Sequence, residues 1–238
     1  MHSSPTGGHF GIRKTLAKAR ERFIWPESRA DVKKWCRNCT QCSAKKGPTT
    51  RSNGKLKIYN VGAPFERIAI DVVGPFPKSD LRNKYILVIM DYFTQWPVAV
   101  PIPDQEASTV SEALLQDWVY FFGVPRILHS DQERNFETNI FQELCRRLSI
   151  EKTRTTPLYP QSDGMVERFN RTLKTTPDHV YQHLPMILMA YRSAEHESTG
   201  YSPARMLFGH EIRMPCDVLL GRPEETFENT NEYISHLE

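Results

Sequence analysis

The chain has 238 residues, 39% of them hydrophobic, enough for one large core or for one medium and one small core. No run of about 18 apolar residues occurs, so no membrane-spanning helix is expected. The N-terminus lacks the charged-then-apolar layout of a signal peptide, and five cysteines, an odd number, argue against a secreted disulfide framework. An intracellular protein is expected. The net charge of +3 conceals an asymmetry: residues 1–60 carry 14 Lys/Arg against 3 Asp/Glu, a net of +11, and the rest carry 17 against 25, a net of −8. A basic first quarter points to a polyanion, most often nucleic acid; the plain alternative is a well-solvated face. From residue 195 on, 9 acids stand against 3 basic residues, which suits that end poorly to phosphate.

In chain order, "GIRKTLAKARERFI" (11–24) reads as a helix with Ile12, Leu16, Ala19 and Phe23 on one stripe. A second helix starts near Ser28, with Val32 and Trp35 expected inward. Residues 45–55 are polar with Pro and Gly and read as a linker. "RIAIDVVGPFP" is β-rich and ends at Gly-Pro, "KYILVIMDYF" suits a central strand, and "WPVAVPIP" is a Pro-edged third strand. "ASTVSEALLQDWVYFFGVP" has helical spacing at Val110, Leu114, Val119 and Phe122, then a Gly-Val-Pro stop. "RILHSD" is a short strand, "NFETNIFQELCRRLSI" a helix, and "EKTRTTP" a strand ending at Pro157. "DGMVERFNRTLK" is a helix broken before Pro177, and "LPMILMAYRSA" another helix. Three strands, helix, strand, helix, strand, helices predict an α/β fold around one mixed sheet.

Two constellations carry chemistry. Cys39 and Cys42 form a C-x2-C pair, with His2 and His9 upstream. Two thiolates and two imidazoles make a closed tetrahedral zinc set, and a metal would stabilise a helix pair too small to bury a core alone. A redox C-x2-C is the alternative, but no strand precedes it. Cys36 could compete with Cys39, though its spacing suits a helix face. The second constellation is Asp71, inside an apolar strand where an acid is costly unless paired or metal-bound; Asp131, at the end of a later strand; and Glu167, in a helix. Thirty-five residues separate the last two. At 3.6 residues per turn, Val166, Phe169 and Leu173 form a packing face, while Glu167, Asn170, Arg171 and Lys174 form the other. That second face suits a metal at one end and phosphates along the rest; otherwise it is a solvated face with Glu167 paired to Arg171. Asp91 is a rival carboxylate, read as structural.

These residues resemble the integrase of gypsy-type long-terminal-repeat retrotransposons and, more distantly, retroviral integrases. "HSSPTGGHFGIRKTL" and "CRNCTQC" are similar to the family's zinc module. "IAIDVVGPFP", "VIMDYFTQWP", "FFGVPRILHSDQERNFE", "TRTTPLYPQSDGMVERFNRTLK" and "AYRSAEHESTGYSPARMLFG" follow its core in order. The resemblance implies an RNase H-like mixed five-stranded sheet flanked by helices, preceded by a small helical two-His, two-Cys zinc domain. The expected divisions are a zinc-binding domain (1–46), a linker (47–60), a catalytic core (61–215) and an acidic tail (216–238). It implies catalysis at Asp71, Asp131 and Glu167 with Mg2+ or Mn2+, zinc at His2, His9, Cys39 and Cys42, and Asn170, Arg171 and Lys174 near bound DNA. Water would trim a DNA 3′ end, and the freed hydroxyl would join it to target DNA. A homo-oligomer when active, nuclear location and no small-molecule substrate are expected. The sequence also departs from the family. Glu133 stands where "SDQG" has Gly, where a positive φ or close backbone approach would suit glycine. The stretch between Lys174 and His183 is short and contains Pro177, the first zinc ligand is residue 2, and no β-barrel or chromodomain follows the core. These features suggest a gene fragment or a host-retained copy. They leave a second reading: a catalytically impaired integrase-like protein that binds nucleic acid. An RNase H-type nuclease is a third, against which the zinc module argues.

Overall fold

A computed structural model describes residues 2, 9–43, 62–131, 133, 135–154, 164–174 and 179–220. The expected linker, Pro157, Pro177 and the tail beyond residue 220 lie outside the described residues. Contacts group the chain into two units, Arg51–Leu184 and a second made of Met1–Thr50 with Pro185–Glu238. Residues 185–215, placed with the core by chain order, thus group with the N-terminal residues.

The larger unit is built on a five-stranded sheet: β1 (Arg67–Val73), β2 (Tyr85–Asp91), β3 (Pro97–Ile102), β4 (Ile127–Ser130) and β5 (Glu151–Arg154), in the order β3-β2-β1-β4-β5. β1–β2 and β2–β3 are antiparallel, and β1–β4 and β4–β5 are parallel, which makes the sheet mixed. Pro101 is tolerated because β3 is an edge strand and needs only one ladder. Alternation along the strands divides the faces. Ile68 and Ile70 of β1, Leu87 and Ile89 of β2 and Leu128 of β4 join one core with residues of α4 (Ala107–Leu114) and α6 (Asn139–Arg147). The intervening positions of β1 and β2, Ala69, Asp71, Val88 and Met90, leave the other face for α7 (Gly164–Leu173), which packs on both strands. Val166, Phe169 and Leu173 are the buried anchors of α7, as the spacing predicts.

α4 runs into a π-helical stretch, Leu115–Val119, and then a short α5, Tyr120–Phe122. An i→i+5 turn holds more residues than an α turn and rotates the apolar face. Trp118, four residues after Leu114 and so on the same stripe, is fully buried, against Phe65 and Phe122. Val119 and Phe122 are left only half-buried. Gly123, at φ 83°, closes the element.

The smaller unit holds α1 (Ile12–Arg20), α2 (Ser28–Arg37), the single turn α3 (Thr40–Ser43), α9 (Pro203–Phe208) and α10 (Pro215–Leu220). α8 (Val180–Arg192) continues through Pro185, where the two units meet in sequence. Ala19 and Val32 are buried, as expected. Phe23 and Trp35 are not: they are 43% and 65% exposed. α1 stops at Arg20, so Phe23 leaves the helical stripe, and Cys36 rather than Trp35 completes the inner face of α2.

Candidate functional site

The N-terminal group assembles as its spacing predicts. One ligand atom from each of His2, His9, Cys39 and Cys42 lies within 4.8 Å of all the others. Cys42 Sγ is 3.5 Å from His2 Nε2 and 3.7 Å from His9 Nδ1, and Cys39 Sγ is 3.3 Å from His9 Nδ1. A tetrahedral ion at usual Zn–S and Zn–N lengths keeps its ligands roughly 3.5 Å apart, so this donor set fits zinc. His2 Nδ1 lies 2.9 Å from the Phe10 carbonyl. A proton on Nδ1 donated to that carbonyl fixes the tautomer that leaves Nε2 for the metal. Thr15 Oγ donates to the same carbonyl at 3.0 Å. Cys36 Sγ faces His2 Nδ1, the nitrogen turned away from the other thiols, and is outside the set.

The carboxylate site is built by strand register. β1 and β4 run parallel with Ile70 opposite Ser130, which brings Asp71 and Asp131, the next residue of each chain, to the same end of neighbouring strands. Val72 N–H donates to Asp71 Oδ1 at 2.8 Å and the Asn170 side-chain amide donates to Oδ2 at 2.5 Å. Burial, then the charges of Asp131 and Glu133, pushes the Asp71 carboxyl up to about 7 against the pull of those two donors. Glu133 N–H donates to Asp131 Oδ1 at 3.0 Å, and burial and the Asp131 charge raise the Glu133 carboxyl as well. Position 133 thus adds a carboxylate beside the pair, where the resemblance led us to expect glycine.

Glu167 stands exposed in the first turn of α7, one turn before Asn170 on the same side of the helix. Among the described residues only the His/Cys group brings three or more such ligand atoms all within 4.8 Å of one another; the three acids together do not form such a group. Arg171 and Lys174 are exposed, as the polar-face reading requires. Asn170 departs from that reading: it is buried at 7% exposure, with its Oδ1 lacking a partner and its amide on Asp71. The helix is rotated enough that i+3 from Glu167 turns into the sheet while i+4 stays outside. The Asn170–Asp71 bond is a contact the sequence reading missed, and its one signal was the i+3 spacing from the acid. Asp91 is structural: its carboxylate accepts from Phe65 N–H at 3.0 Å and from Thr94 N–H and Oγ, each at 2.7 Å.

Residues 1–48 match the family described as integrase zinc binding domain, and residues 62–160 match the integrase core domain. The chain therefore carries the two integrase domains in order, and its homologues are gypsy retrotransposon integrase-like proteins and retroviral-type Pol polyproteins. It is 31% identical to the Pro-Pol polyprotein of simian foamy virus type 3 over 91% of this chain and 20% of that polyprotein. To the Gypsy retrotransposon integrase-like protein 1 of Bos taurus it is 28% identical over 90% of this chain and 44% of that protein. The chain thus spans less than half the length of these relatives. Among solved structures, a chain of the simian T-cell lymphotropic virus intasome in complex with PP2A regulatory subunit B56 gamma shares the fold. Its TM-score is 0.55 at 16% identity, covering 95% of this chain and 78% of that one. Among the described residues no helix is long and apolar enough to cross a membrane.

Proposed function

We propose that the chain is a metal-dependent polynucleotidyl transferase of the integrase type, acting on DNA ends by 3′ trimming and strand transfer. The observation that carries this reading is the register that sets Asp71 beside Asp131, with α7 delivering Asn170 onto Asp71 and Glu167 one turn away. Three carboxylates are hard oxygen donors suited to Mg2+ or Mn2+. Such a pair of ions, when bound, stabilises the attacking and leaving oxygens of a phosphodiester displacement.

The chain's own contribution is positional. Asp71, Asp131 and Glu167 are the residues that would hold the ions. Asn170 holds the Asp71 carboxylate in place through its side-chain amide. Arg171 and Lys174, exposed on the same helix, bind phosphate oxygens and set the DNA strand along α7. No covalent enzyme intermediate is required, so no Ser, Cys or Tyr nucleophile takes part. Zinc at the N-terminal group stabilises the smaller unit. Assembly into an oligomer on DNA and nuclear location belong to this same reading.

A labelled blunt DNA duplex incubated with the protein and Mn2+ or Mg2+ tests it. Shortened 3′ ends and joined products that vanish in Glu167→Gln are expected; products undiminished in that variant would overturn it. The second reading, a nucleic-acid-binding protein with impaired catalysis, is favoured by Glu133 and by the short stretch between Lys174 and His183. It expects DNA binding with no metal-dependent product.

A further inference from the structure

The basic residues of α1 have partners inside the smaller unit. Arg22, just past the end of α1, has its side chain 6% exposed and is paired with Asp217 of α10, itself 1% exposed. Arg22 Nε donates to Asp217 Oδ1 at 2.7 Å, and its second guanidinium nitrogen to the same oxygen at 2.5 Å. Asp217 Oδ2 accepts from Met214 N–H at 2.7 Å, so the carboxylate is held on both oxygens. One turn earlier on α1, Lys18 Nζ donates to Ser193 Oγ at 2.9 Å and to the Ala190 carbonyl at 3.3 Å. Another turn back, Lys14 lies 5.3 Å from the ring centres of both Phe10 and Tyr191, and the exposed Arg13 pairs with Glu197.

Lys14 and Lys18, at i and i+4, share one face of α1, and Arg22 follows just past the helix end. Each has a partner among residues 190–217, beside the nearer contacts of Lys14 and Lys18 with Phe10 and of Arg22 with Glu21. A buried charge is tolerated only when paired, so the Arg22–Asp217 pair cannot be incidental to folding: undocking would leave either both ions to rehydrate or one of them stranded.

The same face is tied to the zinc group. Phe10, whose ring lies beneath Lys14 and Lys18, gives its carbonyl to His2 Nδ1. We propose that the basic face of α1 is the docking surface for the chain's own C-terminal helices, residues 185–220, with Arg22–Asp217 as its buried key, and that this docking is coupled to zinc binding at His2, His9, Cys39 and Cys42. The inference rests on the zinc reading of those four residues. It also reassigns charge: Lys18 and Arg22 serve the chain itself, and Arg20, Arg29, Lys33, Lys34 and Arg37, all exposed, remain for a polyanion.

The test uses the full chain with Arg22→Met, which keeps the apolar stem, Asp217→Asn, which keeps the shape and the Met214 contact, and the double variant. Zinc affinity is read by competition with a chromophoric chelator, thermal midpoint by circular dichroism, and affinity for a random-sequence duplex as a function of salt. Each single variant should weaken zinc about tenfold, within the usual range for coupled sites. The double should be no worse than the worse single. The salt slope of DNA binding should be unchanged in Lys18→Ala, because a residue that contacts phosphate would lower it by about one unit. Wild-type zinc affinity in both singles, or additive losses in the double, would overturn the coupling. A reduced slope in Lys18→Ala would overturn the assignment of that face. A wild-type chain that takes up no zinc would fail the zinc reading itself, with the thermal midpoints still reporting whether Arg22 and Asp217 act as a pair.

Discussion

Asn170 donates its side-chain amide to Asp71 Oδ2 at 2.5 Å, across 99 positions of sequence. This bond joins the helix that carries Glu167 to the strand that carries the first aspartate. Groups that orient a metal ligand are worth about 10–100-fold in metal affinity or activity. Asn170→Ala should therefore weaken Mn2+ binding and DNA joining by that factor while leaving the circular dichroism spectrum unchanged. Mn2+ affinity equal to wild type would show that the bond positions nothing.

Asp71 makes the metal-free protein sensitive to pH. Its folded value near 7 lies above the ordinary 3.8, so the folded chain holds the proton more tightly than the unfolded one. The associated stabilisation is complete below about pH 4 and is lost as the pH rises to about 7. In chelator, wild type should lose more urea resistance between pH 5 and pH 7.5 than Asp71→Asn does. Glu133→Gln, which removes one of the charges raising that carboxyl, should narrow the difference. Parallel curves for wild type and Asp71→Asn would contradict the assignment.

Zinc should depend on Cys42 and not on Cys36. The Cys36 sulfur faces His2 Nδ1, the nitrogen committed to the Phe10 carbonyl, whereas Cys42 faces Nε2. Atomic absorption should give one zinc per chain for wild type and Cys36→Ala and a large loss for Cys42→Ala. A loss in Cys36→Ala alone would reverse the ligand set.

Trp118 is fully buried in the core, with its ring against Phe65 and Phe122. Its truncation to Ala should cost about 3–5 kcal/mol in denaturant unfolding. A cost below about 1 kcal/mol would contradict the burial of this ring in the core.

Local periodicity made the elements legible in the sequence, and it failed where backbone geometry changed the period. Strand β1 and helix α7 were readable because their apolar spacing is regular, and the His/Cys group because ligand spacing is a chemical signature. Val119 was counted on the apolar stripe although nine positions place it half a turn from Val110, and Trp118, four residues after Leu114, takes the buried place. Phe23 was misassigned because α1 ends three residues before it, with no glycine or proline to mark the stop. Asn170 was placed on the polar face because an amide reads as polar whether it meets water or an aspartate. The pairing of Arg22 with Asp217 lies almost 200 residues apart, and no local pattern carries it. Glu133 was visible as a departure, but its effect on Asp71 emerges only once β4 lies beside β1.

On the proposed reading, Asp71, Asp131 and Glu167 act as one metal site. Mn2+ binding to the DNA-bound protein, followed by electron paramagnetic resonance in wild type, Asp71→Asn, Asp131→Asn, Glu167→Gln and the Asp71→Asn/Glu167→Gln pair, tests it most directly. Each single variant should lose most of the bound Mn2+, and the pair should lose little more than the worse single, because carboxylates that share ions do not contribute independently. Glu167→Gln that binds Mn2+ as wild type does, while both aspartate variants fail, would place Glu167 outside the site and contradict the account.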